Sequence, residues 1–219
     1  MAIETSSAPG EHSSRRDGSI LPGAIIGASG GLVLRYARDE DAPEIIALIS
    51  SIWSEYPGKT LIAANDMPEL LRPASAYARA DGRFWLVETG GRVIGTVALV
   101  PSVEGGVVEL QKLYVARDVR GNGLGSFLCY LVEREARGRG AHAIELWTDV
   151  KLLDAHRCYE RLGYRRGNAL KTYSDTSSTV RYYYRKDIAA AEFAPLAFGR
   201  WQALLRLAAE VDARQAVSP

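Results

Sequence analysis

The sequence contains little cysteine and little histidine, and it has no excess of either charge. Its 219 residues include two cysteines and three histidines, and 27 Lys and Arg residues stand against 26 Asp and Glu residues. This balance argues against a nucleic-acid partner and against a charged membrane surface as partner. His12, His142 and His156 lack the spacing of metal ligands, so we expect no metal site.

Long apolar runs and secretion signals are also missing. The apolar runs are too short to span a bilayer, and no basic patch followed by an apolar stretch opens the chain. We therefore expect a cytoplasmic protein without a membrane partner. Cys129 and Cys158 lie in different predicted helices and form no Cys-x-x-Cys pair, so two free thiols are expected rather than a disulfide.

Composition divides the chain into three parts. Residues 1–30 are rich in Ser, Gly and Pro and predict a flexible N-terminal tail, because such a segment cannot bury a core. Residues 31–188 contain regular apolar patterns and predict one domain. Residues 189–219 predict an amphipathic C-terminal helical extension. That helix packs either on the domain or on a second copy of the chain in a homodimer, and the sequence leaves this choice open.

The first half of the domain predicts a strand, two helical stretches and an antiparallel meander. A strand over 32–37 precedes a helix with Asp39–Asp41 as capping carboxylates and Pro43 in its first turn. A second stretch over 68–80 is interrupted by a proline, which predicts a bent or broken helix. The meander strands are predicted at 84–88, 93–100 and 107–115.

In the second half of the domain, the spacing of the apolar residues alternates between the period of a helix and that of a strand. The remaining elements are predicted as a helix over 124–136, a strand over 143–147, a helix over 152–162 and closing strands at 164–166 and 180–185. A meander followed by alternating helices and strands predicts an α+β fold. Its central sheet is mixed, mostly antiparallel and flanked by helices.

The glycine-rich run Arg120-Gly-Asn-Gly-Leu-Gly125 follows a strand and opens a helix. A helix N-terminus carries free N–H groups and about half a positive charge, which makes it a site for phosphate. The three glycines let the backbone approach a ligand, and Arg120 can add a charge-assisted hydrogen bond. The Lys-Ser/Thr pair of a P-loop is absent, and Ser126 stands where a dinucleotide fingerprint needs glycine. Taken alone, the run is also compatible with a plain helix-opening turn.

Two flanking segments give the run a context. The segments Glu109-Leu-Gln-Lys-Leu-Tyr-Val115 and Ala155-His-Arg-Cys-Tyr-Glu-Arg-Leu-Gly-Tyr164 resemble motifs of the GNAT superfamily of N-acetyltransferases. Arg120, Gly123 and Gly125 fit the family's core signature of Arg or Gln, two residues, Gly, one residue, then Gly or Ala. The two motifs occur in the family's order.

The resemblance covers roughly residues 32–187 and extends to the order of the predicted elements. It implies a GNAT-like acyl-CoA N-acyltransferase fold. Leu152 departs from the pattern, because relatives often carry Asn seven residues before the motif tyrosine. A cofactor contact from that side chain is therefore not expected here.

The resemblance implies that acetyl-CoA is the acyl donor. The implied cofactor-binding residues are Leu113, Tyr114, Val115, Arg120, Gly121, Asn122, Gly123, Leu124, Gly125 and Ser126. Backbone groups of Leu113 and Val115 would pair with the pantetheine arm like an added strand. The Val115 N–H would polarise the thioester carbonyl, and the N–H groups of 121–126 would hold the pyrophosphate.

Tyr159 and Glu109 are the candidate catalytic residues. Tyr159 matches the family tyrosine that protonates the departing thiolate, although its position in an apolar stripe also suits core packing. Strand alternation places Glu109 on one face with Gln111, Leu113 and Val115, and some relatives use a glutamate there as general base. A surface carboxylate is the alternative interpretation of Glu109.

Other candidates are weaker. Glu145 is a second candidate base on the next strand. His156 has a suitable ordinary pKa, but a position on the surface of a helix is expected for it. Five aromatic residues of the first half either line an acceptor pocket or fill the core. These are Trp53, Tyr56, Tyr77, Phe84 and Trp85.

The sequence therefore predicts an N-acetyltransferase. It would move an acetyl group from acetyl-CoA to a primary amine of a small molecule, by direct attack in a ternary complex. Two alternatives stay open: a non-catalytic acyl-CoA-binding regulatory module and a protein N-acetyltransferase. The acceptor and the acyl length are not readable from the residues.

Overall fold

The computed structural model of the protein describes residues 24–26 and 31–188, whose centre is one mixed β-sheet. Its strands are β1 Ala24–Ile26, β2 Leu32–Tyr36, β3 Arg83–Thr89, β4 Arg92–Pro101, β5 Val107–Val115, β6 Ala143–Asp149, β7 Arg165–Thr172 and β8 Val180–Asp187. They lie in the order β1-β2-β3-β4-β5-β6-β8-β7, and only the β5–β6 pair is parallel. The predicted α+β fold with a mostly antiparallel sheet is confirmed.

The helices also follow the predicted order. They are α1 Ala42–Trp53, α2 Ala63–Asp66, α3 Pro73–Arg79, α4 Leu124–Gly138 and α5 Leu153–Arg161. The stretch predicted over 68–80 is broken, with a 3-10 turn at Pro68–Leu71 before α3. Helix α2 was not predicted, since four residues are too few to show a helical period. Asp41 accepts the Arg38 N–H at 2.6 Å rather than capping α1 with its side chain.

Helices cover the central strands on both faces. Every residue of β4 from Val93 to Leu99 is buried, as expected for a strand with no solvated face. A Cβ placed on Gly95 would lie 3.1 Å from the Leu124 side chain of α4. The next residue, Thr96, points to the opposite face, on which α1 lies. The core therefore occupies both sides of the meander.

The edge strands account for the largest errors in the predicted boundaries. β7 extends to Thr172, six residues beyond its predicted end, and most of its residues are exposed. An exposed strand has no buried face, so it leaves little apolar alternation in the sequence. The flexible tail predicted over 1–30 is wrong for Ala24–Ile26, which pair with β2. The rest of that tail and the helix predicted over 189–219 lie outside the described residues.

Residues 24–26 and 31–188 contain neither a membrane-spanning helix nor a group of metal ligands. No helix within these ranges is long and apolar enough to cross a membrane. Within the same ranges, no three His, Cys, Asp or Glu side chains are grouped in a way that could hold a metal ion.

Candidate active site

Strands β5 and β6 separate in the middle of the sheet. Their pairing covers only Val107–Glu109 against Ala143–Glu145, although β5 continues to Val115 and β6 to Asp149. Beyond Glu109 the backbone of β5 therefore has no neighbouring strand on that side. A cleft opens between the two strands, and we call it the sheet gap.

A β-bulge in β5 lies beside the sheet gap. Ala98 of β4 pairs with Gln111 whereas Thr96 pairs with Tyr114, so β5 holds one extra residue between these pairs. Lys112 lies at this point with a φ of 52°, and its carbonyl accepts the Thr96 hydroxyl at 2.8 Å. Such a bulge reverses the alternation of the residues that follow it.

The bulge decides which side chains of β5 share a face. Because paired residues point to the same side of a sheet, Tyr114 continues the face of Glu109. The predicted alternation, which put Leu113 and Val115 on that face, is wrong because it assumed an unbroken strand. Val115 instead faces α4, where its Cγ2 is 3.9 Å from the place of a Cβ on Gly125.

One backbone donor of β5 points into the sheet gap. Ala116 donates its N–H to the Ile94 carbonyl of β4 at 2.9 Å. Since successive N–H groups of an extended chain alternate in direction, the Val115 N–H points away from β4 and toward the gap. This is the group that the resemblance implied as the donor to a thioester carbonyl.

A cavity of about 580 Å³ lies between the end of β5, the glycine-rich loop and α5, and we call it the loop cavity. It is lined by Leu113, Tyr114, Val115, Arg120, Gly121, Gly123, Leu124, Gly125 and Ser126. Of the predicted cofactor-binding residues, only Asn122 is absent from this lining. Its side-chain amide donates to the carbonyls of Val119 and Arg120 at 3.3 and 3.1 Å, which holds the loop. The contacts of these residues with a cofactor stay a prediction.

The glycine-rich loop leaves a helix end uncapped. Gly121 and Gly123 have left-handed φ angles of 75° and 86°, which side chains rarely tolerate. Gly123 is the N-cap of α4, and no side chain caps the helix. The N–H groups of 124–126 therefore have no partner within the helix, and their partial positive charge suits an anion.

Arg120 is engaged by protein groups. Its two terminal nitrogens donate to the two carboxylate oxygens of Glu55 at 2.8 Å each, and its Nε donates to the Val115 carbonyl at 3.0 Å. This fork-to-fork geometry is strong and directional. The predicted contact of Arg120 with a phosphate would have to compete with Glu55. Its position indicates that it ties the loop to β5 and to the residues after α1.

Three side chains of α5 that line the loop cavity were not among the predicted site residues. Arg157, Cys158 and Arg161 all line it. Asp154, which also lines the cavity, lies four residues before Cys158 and seven before Arg161, so a helical period was available as a signal. Arg157 pairs with Asp154 at 3.0 Å. Because Asp154 offsets the charge of Arg157, the net positive charge that α5 brings to this cavity comes from Arg161.

A second cavity of about 520 Å³ adjoins the first, and we call it the acceptor-side cavity. The residues that line both cavities are Leu113, Tyr114, Leu152 and Ala155. Glu109 and Tyr159 both line the acceptor-side cavity. The structure thus brings the two candidate catalytic residues into one space beside the loop cavity.

The side chain of Glu109 is half-buried. Burial raises the pKa of Glu109 above its ordinary value, and the nearby charge of Glu145 adds to this. A hydrogen bond with Gln111 acts in the opposite direction and is smaller than the effect of burial. A raised pKa makes the deprotonated carboxylate a better proton acceptor than an ordinary one.

The other candidate bases are occupied elsewhere. Glu145 accepts hydrogen bonds from the Ser102 hydroxyl at 2.5 Å and the Tyr183 hydroxyl at 3.0 Å, and it lines neither cavity. The expectation that His156 lies on a helix surface is wrong. The residue is buried, and its Nε2 lies 2.9 Å from the Asp149 carbonyl, to which it can donate.

Tyr159 combines core packing with a place at the cavity wall. Its side chain is only 4% exposed, and its ring lies 5.7 Å from that of Tyr164 and 5.9 Å from that of Tyr184. Burial raises the pKa of Tyr159 well above its usual value. The hydroxyl therefore stays protonated near neutral pH, as a proton donor must.

The five aromatic residues considered for an acceptor pocket separate into three groups. Trp53 lines the acceptor-side cavity, and Tyr56 lines the loop cavity. Tyr77, Phe84 and Trp85 are buried in the core. The interpretation as pocket residues is therefore wrong for these last three. Aromatic residues of a core and of a pocket look alike in a sequence, so the two could not be distinguished.

Comparison with known proteins decides the family. Residues 34–164 match the sequence model of the Acetyltransferase (GNAT) family. The chain belongs to this family. The GNAT resemblance of the two motifs is thereby confirmed.

Curated relatives agree with this assignment. The chain is 32% identical to the aminoalkylphosphonate N-acetyltransferase of Salmonella typhimurium over 139 residues, which cover 62% of this chain and 86% of that protein. It is 31% identical to the uncharacterized N-acetyltransferase YjgM of Escherichia coli over 139 residues, covering 60% of this chain and 81% of that one.

Solved GNAT structures share the fold. An acetyltransferase of the GNAT family from Staphylococcus aureus Mu50 superposes with a TM-score of 0.63 at 21% identity, covering 72% of this chain and 99% of that chain. The putative acetyltransferase yncA from Salmonella typhimurium, solved with its cofactor acetyl-CoA, gives a TM-score of 0.56 at 20% identity, covering 76% and 99%. Together with the family match, this makes the GNAT protein described here an acyl-CoA-dependent acetyltransferase.

Cys158 provides a direct probe of the loop cavity. A hydrogen bond with Cys129 is the main cause that lowers the pKa of Cys158 to about 7, and Ser126 and Arg161 add to it. The lowered pKa increases the thiolate fraction of Cys158 near neutral pH, and the residue is partly exposed, so we expect iodoacetamide to alkylate it readily. Bound CoA should slow this labelling at least ~10-fold at a concentration of ~10 Kd or more, as measured by mass spectrometry.

The second cysteine supplies the control for this labelling. Cys129 is fully buried, so the variant Cys158→Ser should take up no label in the folded state. Labelling of Cys158 at an unchanged rate in saturating CoA would show that the cofactor binds somewhere other than the loop cavity.

Proposed function

We propose that the protein transfers an acetyl group from acetyl-CoA to the primary amine of a small molecule, by direct attack within a ternary complex. The observation that carries this proposal is the meeting of the two cavities at the sheet gap. One cavity holds an uncapped helix end suited to a pyrophosphate, and the other holds the half-buried carboxylate of Glu109 and the buried Tyr159. A donor and an acceptor can therefore occupy adjoining spaces at the same time.

The donor would lie along the free edge of β5. Its pyrophosphate would accept hydrogen bonds from the N–H groups at the start of α4, and its pantetheine arm would pair with β5 as an added strand. This places the thioester near the Val115 N–H, which points into the gap. A donor fixed at that point stabilises the negative charge that develops on the carbonyl oxygen during attack.

Proton transfers at Glu109 and Tyr159 complete the reaction. The amine arrives as an ammonium ion, and Glu109 accepts its proton so that the nitrogen lone pair can attack the thioester carbon. The carbon–sulfur bond then breaks, and Tyr159 donates its proton to the departing thiolate. The nitrogen loses a second proton as the amide forms, which restores the Tyr159 hydroxyl, and Glu109 releases its proton to solvent. The products are the amide and free CoA, and no covalent enzyme intermediate forms.

Removing the Tyr159 hydroxyl tests the second transfer. We expect Tyr159→Phe to lower kcat by ~10²-fold, because a thiolate then leaves without a positioned acid. The ring is retained, so the aromatic packing and the binding of acetyl-CoA should change little. Steady-state kinetics and calorimetric CoA binding measure the two effects.

Tyr164 provides a matched control. It contacts Tyr159 in the same aromatic cluster but lines neither cavity, so Tyr164→Phe should keep kcat within about twofold. Equal losses in both variants would assign the effect to packing rather than to proton donation.

The whole proposal is tested by thiol release. Acetyl-CoA is incubated with the protein and a broad panel of primary amines, and free CoA is detected with a thiol reagent. The panel includes peptides with a free N-terminus, which report protein acetylation, and longer acyl-CoA donors. CoA release with small amines supports the proposal, release only with peptides favours a protein N-acetyltransferase, and silence across the panel contradicts it.

A further inference from the structure

The charges in the acceptor-side cavity point to the chemical class of the acceptor. We infer that the acceptor carries an anionic group as well as its amine, and that Lys171 binds this anion while Glu109 receives the amine. The inference rests on the proposed function and specifies its substrate class. Suitable acceptors are amines with a carboxylate, phosphonate or sulfonate group.

Most charged side chains of this cavity are already paired. The ion pairs are Lys59 with Asp149, Lys112 with Glu69 at 2.6 Å, and Arg181 with Asp175 at 3.9 Å. Asp66 accepts the N–H groups of Ile62 and Thr176 at 2.7 and 2.8 Å. Among the described residues, Glu109 and Lys171 are the cavity-lining carboxylate and ammonium that have neither an ion pair within 4 Å nor a hydrogen bond to the backbone, and their charges act on each other across the cavity.

Lys171 is oriented although it lacks an anion. Its Nζ lies 5.7 Å from the centre of the Trp147 ring and 5.0 Å from that of Tyr173. Ring faces attract a cation but accept no conventional hydrogen bonds. Lys171 is exposed, and the two rings favour a position of its ammonium at the cavity wall, where its three N–H donors remain available for a ligand.

A second cation lies directly beside it. Lys171 of β7 pairs with Arg181 of β8 in the sheet register, and the Arg181 guanidinium lies 4.0 Å from the centre of the same Tyr173 ring. Like charges on directly opposed strand residues repel each other. The carboxylate of Asp175 is 3.9 Å from Arg181 and compensates only one of the two cations. An anionic group on the acceptor would relieve this repulsion.

The same arrangement excludes other acceptors. A simple alkylamine would satisfy Glu109 but would bring no anion to Lys171. A diamine or polyamine would bring a second positive charge toward Lys171 and Arg181, which costs binding energy. A zwitterionic amine is complementary to both ends of the cavity.

The experiment compares matched amines with the same carbon chain. Each pair contains an aminoalkyl carboxylate or phosphonate and its uncharged amide or alcohol analogue, and a diamine series is added. We expect kcat/KM to be ~10-fold or more higher for the anionic member, because hydrogen bonds to charged groups are strong. Lys171→Met should bring the ratio of the two kcat/KM values close to one by raising KM for the anionic member. The ratio within each pair is the readout, because Lys171 also lowers the pKa of Glu109 and its loss affects both members.

Two further variants separate binding from general surface charge. Lys171→Glu should shift the preference toward diamines. Lys151→Met removes an exposed lysine that lines neither cavity and should leave the preference unchanged.

The two proposals fail in different ways. If no amine of either kind releases CoA, the proposed function itself is wrong. If neutral and anionic amines react equally well and Lys171→Met leaves their ratio unchanged, acetyl transfer stands and the inference about the anion is overturned.

Discussion

Glu109→Gln is expected to lower kcat/KM by ~10³-fold at neutral pH, because the ammonium form of the acceptor then has no positioned base. Glutamine keeps the shape of the side chain and its hydrogen-bonding ability toward Gln111, so binding of acetyl-CoA should be unchanged. Thiol-release kinetics with the best amine of the panel measure the loss.

The pH profile distinguishes a base from a mere structural carboxylate. Glu109 must be deprotonated to act, and its pKa is raised by burial, so wild-type kcat/KM should fall as the pH drops through that raised value. Above it, the profile should be flat up to the pKa of the amine. In Glu109→Gln only free amine from solution reacts, so kcat/KM should rise about tenfold per pH unit toward the amine pKa.

Stability provides the control for this variant. A carboxyl group whose pKa is raised by folding binds its proton more tightly in the folded state, so its contribution to stability is lost as the pH rises through that pKa. The neutral glutamine escapes this loss, and the melting temperature at pH 7 should be equal to or above that of the wild type. A loss of activity below a few-fold, with an unchanged pH profile, would remove Glu109 from the mechanism.

Lys59→Ala is expected to lower the free energy of unfolding by ~3–5 kcal/mol, because it leaves a buried carboxylate without its cation. Lys59 and Asp149 are 7% and 6% exposed and form an ion pair. Lys59 also donates to the Thr179 hydroxyl at 3.2 Å and lies 4.6 Å from the centre of a Trp53 ring. Urea unfolding at pH 7 gives the free energy directly.

Loss of the Lys59–Asp149 ion pair should affect more than one contact, because Asp149 has further partners. The other oxygen of Asp149 accepts the Lys151 N–H at 2.8 Å, and its carbonyl receives His156. Through its carboxylate and its carbonyl, Asp149 thus joins the segment after α1 to the end of β6 and to α5. Disruption of the ion pair should loosen the wall that Trp53 and Thr179 contribute to the acceptor-side cavity.

A double-mutant cycle isolates the pair. Lys59→Met and Asp149→Asn each break the ion pair, and the double variant should lose clearly less stability than the sum of the two. Lys151→Ala, at an exposed lysine two residues from Asp149, should change stability by less than ~0.5 kcal/mol. Strict additivity in the cycle would show that the contact contributes nothing specific.

The sequence predicted those parts of the molecule that depend on local pattern. Residues close together in the chain show the apolar stripe of α4, the apolar runs of the meander strands and the glycines with positive φ angles. These elements could therefore be predicted. The bulge at Lys112 could not be predicted from alternation, because a strand pattern assumes an unbroken register. Because of this bulge, Tyr114 rather than Val115 lies on the same face as Glu109.

Contacts between residues that are far apart in the chain were also not predicted. Lys59 occurs in an irregular segment where a solvated lysine is the normal expectation, and its partner is 90 residues away in the chain. The engagement of Arg120 by Glu55 and the burial of His156 against β8 depend in the same way on the assembled fold. No periodicity in the sequence carries such information.

Binding in the sheet gap would make the acyl donor a structural component as well as a substrate. On one side β5 has a full partner in β4, and on the other only three residue pairs join it to β6. If pantetheine occupies the gap, it supplies the missing neighbour, and the two halves of the sheet become continuous only in the complex. The resistance of the protein to unfolding and proteolysis would then follow the concentration of its acyl donor, so that the metabolic state of the cell sets the lifetime of the enzyme together with its turnover.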